Sequence, residues 1–301
     1  MVEPKRKRWG SGEKPREFAT FDTYLQRNQA MQHRKLKQTG VGLLAAAFCA
    51  VAGSALAQTA AGSCKAESGA FKAQVVELYT SEGCSSCPPA DKWLSTLKAG
   101  KPAAPANAPT QAGAVVQAFH VGYWDYIGWA DRFATPAHTT RQRQIASWNR
   151  QTSVYTPQLV LQGRDWRDWW NKPQLPAAQE PAAFKIALQQ TGPDQFEALV
   201  SPQPGNPTAG STAPAKWSAY WTLTEDGHSS KVKAGENAGE LLQHDFVVRQ
   251  YTQAGDYAVS GQPQKLAWRS IAATPGHPRR VNLVVFDPRT GQTLQAVSAP
   301  C

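Results

Sequence analysis

Two cysteines separated by two serines, Cys84-Ser85-Ser86-Cys87, are the residues of this sequence best suited to chemistry. At i and i+3 on the start of a helix they can close a disulfide in a small ring. A thiolate there is stabilised by backbone N–H groups and the helix dipole, which lowers its pKa and makes it a nucleophile. We assign attack to Cys84 and resolution of the mixed disulfide to Cys87. Half of a zinc site has the same spacing, but no second Cys-x-x-Cys and no His-x3-His exists to complete one. Of the five cysteines, Cys49 falls in a leader segment, and the other four form an even set suited to an oxidising compartment. With Cys84 paired to Cys87, the other pair is Cys64 with Cys301, which would tie down both chain ends. The alternative is that these two are free tail thiols.

The elements that must position the dithiol are legible around it. Gln74 to Thr80 is rich in β-formers and reads as a buried strand that ends just before Ser81-Glu82-Gly83. Pro88-Pro89 then opens a helix to about Leu97, because proline in a first helical turn loses no intrahelical hydrogen bond. Residues 99–113 are an Ala/Pro/Gly-rich insertion. Ala114 to Val121 is a second apolar strand, carrying His120, and a turn-like aromatic segment follows to Trp129. Thr135-Pro136 caps a polar helix to about Gln151. Val154 to Leu161 reads as a strand in which Pro157 needs a reason, since strand interiors exclude proline. From Phe184 onward the pattern becomes short alternating runs separated by turns, which suggests an antiparallel sandwich. The expected fold is therefore an α/β domain over 58–180 followed by a β-rich, sandwich-like domain over 181–301.

The charge balance argues about location more than partners. The formal charge is +10, but residues 1–57 carry ten Lys/Arg against four Asp/Glu, so most of the excess is in the leader. No basic stripe with interleaved aromatics remains, and no nucleic-acid partner is expected. His33 to Lys37 supplies a basic region, Val41 to Val51 an apolar one, and Ala55-Leu56-Ala57 a small-x-small cleavage site. Residues 31–57 are read as a signal peptide, giving a periplasmic or secreted chain from Gln58. The apolar run falls short of the roughly 20 residues of a membrane span, so no stable span is expected after cleavage. Residues 1–30 are read as a disordered tail or an extension upstream of a start at Met31.

Strand, Cys84-Ser-Ser-Cys87, helix, and then a strand beginning Tyr155-Thr156-Pro157 together resemble the thioredoxin superfamily. The resemblance implies a thioredoxin-like α/β domain with Pro157 as a cis-proline facing the dithiol. Val76-Glu-Leu-Tyr-Thr-Ser-Glu-Gly-Cys-Ser-Ser-Cys-Pro-Pro-Ala-Asp91 is similar to the signature of a secreted bacterial family called domain of unknown function 1223. His120 to Asp131, Val154 to Gln158, and Glu236-Asn237 through Arg249 are similar to its later motifs. Gly122 and the Trp166–Trp170 segment depart from the expected patterns. The family implies no settled activity.

Other residues compete for a role at the dithiol. Glu77 is either a buried carboxylate that accepts the Cys87 proton or a solvated edge residue. His120 could tune the thiolate or bind metal, with a hydrogen-bonded core histidine as the alternative. Tyr123, Trp124, Asp125 and Thr156 are candidates for a lip that recognises extended substrate, and aromatic packing explains the first two equally well. The tryptophans at 166–170 read as core or an interdomain contact, with a binding platform as the alternative. The expected function is a thiol–disulfide oxidoreductase for protein or small-molecule substrates, needing no cofactor, with Pro157 presenting its backbone to the substrate. The alternatives are a copper chaperone using Cys84, Cys87 and His120, or a non-catalytic interaction protein with a structural disulfide.

Overall fold

A computed structural model describes residues 64–99, 114–203 and 214–301. The leader, Cys49, nearly all of the 99–113 insertion and the Pro/Gly-rich stretch 204–213 lie outside the described residues. β2 (Val75–Thr80) leads through the cysteine turn into α1 (Pro88–Thr96), and β3 (Val115–His120) follows. α2 (Pro136–Trp148) begins after Thr135, whose hydroxyl accepts from the His138 N–H at 3.3 Å, the N-cap expected from Thr-Pro. β4 (Gln158–Leu161) and β5 (Arg164–Asp165) close this part, so the strand expected over 154–161 is confined to its second half. Its first half holds a cis Thr156–Pro157 peptide.

The second half contributes β6 (Phe184–Gly192), β7 (Gln195–Pro202), β8 (Lys216–Glu225), β9 (His228–Lys231), β10 (Leu241–His244), β11 (Val247–Ala258), β12 (Gln264–Arg269), β13 (Arg279–Phe286) and β14 (Thr293–Pro300). β1 (Lys65–Glu67) precedes them all and pairs with β6. The alternating runs thus become strands at nearly the expected places, while β1, β5, β9 and β10 carried too few residues to be noticed. Among the described residues no helix is long and apolar enough to cross a membrane.

How these strands join corrects the expected fold. One eight-stranded sheet runs in the order β14-β13-β8-β11-β3-β2-β4-β5, so strands of both halves share it. The join is a parallel pairing of β11 with β3, at Val247 opposite Ala118. A four-stranded sheet, β1-β6-β7-β12, packs on the β8-β13-β14 end. An α/β thioredoxin-like domain followed by a separate β-rich domain is therefore not the fold. The protein is mainly β, with two α-helices among the described residues, and the described residues of both halves form one compact unit.

β8 shows why the two halves cannot be parted. Nine of its ten residues are buried, because both of its faces are covered. Trp217, Ala219, Trp221 and Leu223 pack against Ile186, Phe196 and Val200 of the smaller sheet. Tyr220, on the other face, packs with Val75 and Val115 at the start of the dithiol region. Even its polar side chains are satisfied across the sheet: Thr222 donates to Gln117 at 2.7 Å, and Gln117 donates to Tyr220 at 3.1 Å.

Candidate functional site

Side-chain alternation in β2 decides which groups can reach the cysteines. Val76 and Leu78 pack with Ala90 and Leu94 of α1, whereas Tyr79 packs with Ile145 of α2. Even-numbered residues of β2 therefore face α1, and odd-numbered ones face α2. Thr80 follows the rule and donates to Asp91 of α1 at 2.8 Å. β3 pairs in parallel with β2, with His120 opposite Thr80, so His120 also faces α1. Glu77 lies on the other side of the sheet. It accepts from Arg141 of α2 at 2.8 and 2.6 Å, from Tyr79 at 2.7 Å and from Tyr220 at 3.1 Å. It is neither solvated nor placed to receive the Cys87 proton; it is a structural ion-pair partner.

The cysteine turn is built from backbone hydrogen bonds, Cys84 N–H to Ser81 O and Cys87 N–H to Cys84 O, both 3.1 Å. The two sulfurs are bonded to each other, with Cα atoms 5.4 Å apart. Cys64 and Cys301 form the second disulfide, with Cα atoms 5.1 Å apart. Both pairings expected from the sequence are thus present. Ser85 and Ser86 are exposed, but Cys84 is only 2 % exposed and Cys87 is fully buried. The β9–β10 connection is bonded to the backbone of this turn. Asn237 donates to the carbonyls of Glu82 and Cys84 at 2.9 and 3.0 Å, and Ser85 N–H donates to Glu236 at 2.9 Å.

Trp124 joins the cysteine turn to the proline. A Cβ at Gly83 would lie 3.1 Å from the Trp124 Cβ, so a larger residue there would have to push Trp124 back by a few tenths of an ångström. The indole N–H donates to Thr156 Oγ1 at 2.7 Å. Trp124 and Thr156, both expected at the rim, thus bond directly to each other beside cis-Pro157, and Tyr123 is half-buried against Trp124. An open cavity of about 320 Å³ is lined by Tyr155, Pro157, Arg167 and Trp169. Trp166 and Trp169 pack on Trp93 of α1 but are only half-buried, and Trp170 is 66% exposed, so the cluster is not the core it was read as.

Beneath the turn lies a buried polar group that the sequence did not announce. His120 Nδ1 contacts Asp131 Oδ2 at 2.7 Å, and Asp131 also accepts from the N–H groups of Glu82 and Phe133, both at 2.9 Å. Burial pushes the Asp131 carboxyl up, but His120 and these two N–H groups outweigh it and hold it below its ordinary value. Glu82 accepts from Trp129 at 2.6 Å. His244 lies 3.4 Å from Glu82 Oε1 and 3.9 Å from Asp91 Oδ1, and its ring meets His120 edge-on at 4.9 Å. Burial opposes charge on His244, yet Asp91 and Glu82 together raise its pKa to about 9.

His120 was expected here, but Glu82, Asp91, Asp131, His244, Glu236 and Asn237 were missed as working residues. Asp91 had a usable signal, since it sits four residues after Cys87 on the same helix face. His244 had none, because only tertiary pairing brings β10 to α1. The described residues whose metal-ligating atoms converge are Asp91, His120 and His244, a set that contains neither cysteine.

A family described as "Protein of unknown function (DUF1223)" matches residues 75–286. No curated protein matches the chain in sequence. The crystal structure of protein AGR_C_4864 from Agrobacterium tumefaciens is similar, with 20% identity and a TM-score of 0.52, covering 76% of this chain and 94% of that one. The likeness spans both halves of the chain, as a single mainly β unit requires. HBP35 of Porphyromonas gingivalis gives a TM-score of 0.48 at 9% identity, covering 77% of this chain and 76% of that one.

Proposed function

The chain belongs to the DUF1223 family, proteins of unknown function, and from its own residues we propose that it is an exported thiol–disulfide oxidoreductase whose redox couple is Cys84 and Cys87. The observation that carries the reading is the contrast between its two disulfides. Cys64–Cys301 spans 237 residues and Cys84–Cys87 spans three. Loop-closure entropy makes the first worth about 5 kcal/mol and the second less than about 2 kcal/mol. The short bond adds little to holding the fold together, yet it sits at a helix start under a cover of three hydrogen bonds. Such a position suits a bond that is opened and closed.

In this reading the covering segment at Glu236 and Asn237 lifts to admit a substrate disulfide. The Cys84 thiolate attacks one substrate sulfur and expels the other as a thiolate. The Cys87 thiolate then attacks Cys84 Sγ, releasing the second substrate thiolate and restoring the protein disulfide. Two electrons pass from the dithiol to the substrate, and the reverse sequence oxidises a dithiol substrate. The substrate is a protein or small-molecule thiol or disulfide. The leader at 31–57 supports export to an oxidising compartment, where both disulfides persist.

The burial of Cys84 favours a second reading, a structural disulfide under an interaction surface. Equilibration with thiol buffers separates the two, together with a Cys87→Ser variant that cannot resolve mixed disulfides. A reversible two-electron potential between about −120 and −270 mV, with trapped partners on Cys84, supports the oxidoreductase. A potential below about −300 mV with no trapped partner would assign the bond a structural role.

A further inference from the structure

The buried polar group contains more ligand atoms than hydrogen bonds to occupy them. His120 Nε2, both ring nitrogens of His244 and Glu82 Oε1 have no hydrogen-bond partner among the described residues, and all three side chains are 0–3 % exposed. Unpartnered polar atoms this deep are uncommon, and each points to something that satisfies it. One ligand atom each from Asp91, His120 and His244 lies within 4.8 Å of the other two. We propose that Asp91, His120 and His244 bind one divalent first-row transition cation, and that zinc suits their two imidazoles and one carboxylate.

The supporting contacts are those that metal ligands need. A ligating histidine usually gives its other ring nitrogen to a carboxylate, which fixes the tautomer and the ring. His120 does this with Asp131 at 2.7 Å, leaving Nε2 free. His244 lies between two carboxylates without a hydrogen bond to either, Nε2 at 3.4 Å from Glu82 and Nδ1 at 3.9 Å from Asp91. Asp91 is held by Thr80 through Oδ2, leaving Oδ1 toward His244. A cation with ligand distances of about 2.0–2.1 Å would draw the three donors inward.

Charge points the same way. Glu82, Asp91 and Asp131 are buried, and among the described residues their only ion-pair partners are the two histidines. A dication would offset two of these three carboxylate charges. Phe133 packs on both histidine rings, at 5.1 and 5.8 Å, and screens the group from an open cavity that it also lines. Three elements from both halves of the chain, α1, β3 and β10, would be joined by the ion. The site does not depend on the redox reading, because both sulfurs lie outside the donor set.

The test uses the full chain with both disulfides intact, stripped with chelator and titrated with Zn²⁺ and Co²⁺. One equivalent of each is expected to bind, and Co²⁺ should develop ligand-field absorption. X-ray absorption of the zinc-loaded wild type should show a nitrogen/oxygen shell with imidazole scattering and no sulfur. Asp91→Asn and His244→Gln should lose binding, and Asp131→Asn should weaken it about 10–100-fold, in proteins whose circular dichroism is unchanged. A sulfur shell, no stoichiometric uptake by the wild type, or undiminished binding in folded Asp91→Asn and His244→Gln would overturn the site. Should the variants fail to fold, the absorption spectrum of the wild type still decides.

Discussion

Arg141 holds Glu77 through two hydrogen bonds of 2.8 and 2.6 Å, with its guanidinium 3.9 Å from the centre of the Tyr220 ring. Both side chains are buried, and they join α2 to β2 on the face of the sheet away from the cysteines. Breaking a buried pair leaves an uncompensated charge in a low-dielectric setting, at a cost of about 3–5 kcal/mol. Arg141→Met is expected to lower unfolding free energy by that amount in urea titrations. The double variant Arg141→Met/Glu77→Leu should recover part of the loss, since neither charge is then stranded.

The cover over Cys84 should govern how fast its disulfide opens. Asn237→Ala deletes two hydrogen bonds, to the carbonyls of Glu82 and Cys84. At a net loss of about 1–2 kcal/mol, the uncovered state becomes about 5–30 times more populated. The rate of reduction of the 84–87 bond by a small phosphine, followed by thiol labelling, should rise in proportion. An unchanged rate would mean that the segment is no barrier.

The two disulfides should differ sharply in what they contribute to stability. Replacing Cys64 and Cys301 together by serine removes a 237-residue closure and is expected to cost up to about 5 kcal/mol. The same treatment of Cys84 and Cys87 should cost less than about 2 kcal/mol. Guanidinium denaturation of both double variants at neutral pH gives the comparison directly.

Acid should destabilise the protein through carboxylates far from the cysteines. Burial raises Glu225, but hydrogen bonds from Thr274 and His228 and the charge of Arg249 outweigh it and hold the group below its ordinary value. Asp287 is likewise pushed up by burial and held down by Arg289 and Thr290. A depressed carboxylate stabilises fully above its unfolded value, and that contribution is lost as pH falls through the folded one. The contribution of these two carboxylates to the urea midpoint should therefore be constant above about pH 5 and be lost below about pH 4, while buried His138, whose pKa burial lowers to about 4, adds a decline that begins near pH 6.5. Glu225→Gln should start lower at neutral pH and fall less steeply in acid.

Much of this protein was determined locally and could be read without a structure. The strand before the dithiol, the helix opened by Pro88-Pro89 and the Thr135 cap depend on side-chain period and proline geometry within a few residues. Both cysteine pairings followed from which cysteines were left to pair, and the strands of the second half from their alternation. Period-two alternation also separated Glu77 from Thr80, but not which of the two helices each would meet. That choice depended on which face of β2 each helix covers. The pairing of β11 with β3 was likewise invisible, because a single parallel contact between residues 118 and 247 leaves no mark on either segment. Tertiary structure alone joined the expected domains through one shared sheet and carried His244 to Asp91 and His120. The physical reason is that strand partners far apart in sequence are selected by the burial of whole faces, which no short stretch of residues encodes.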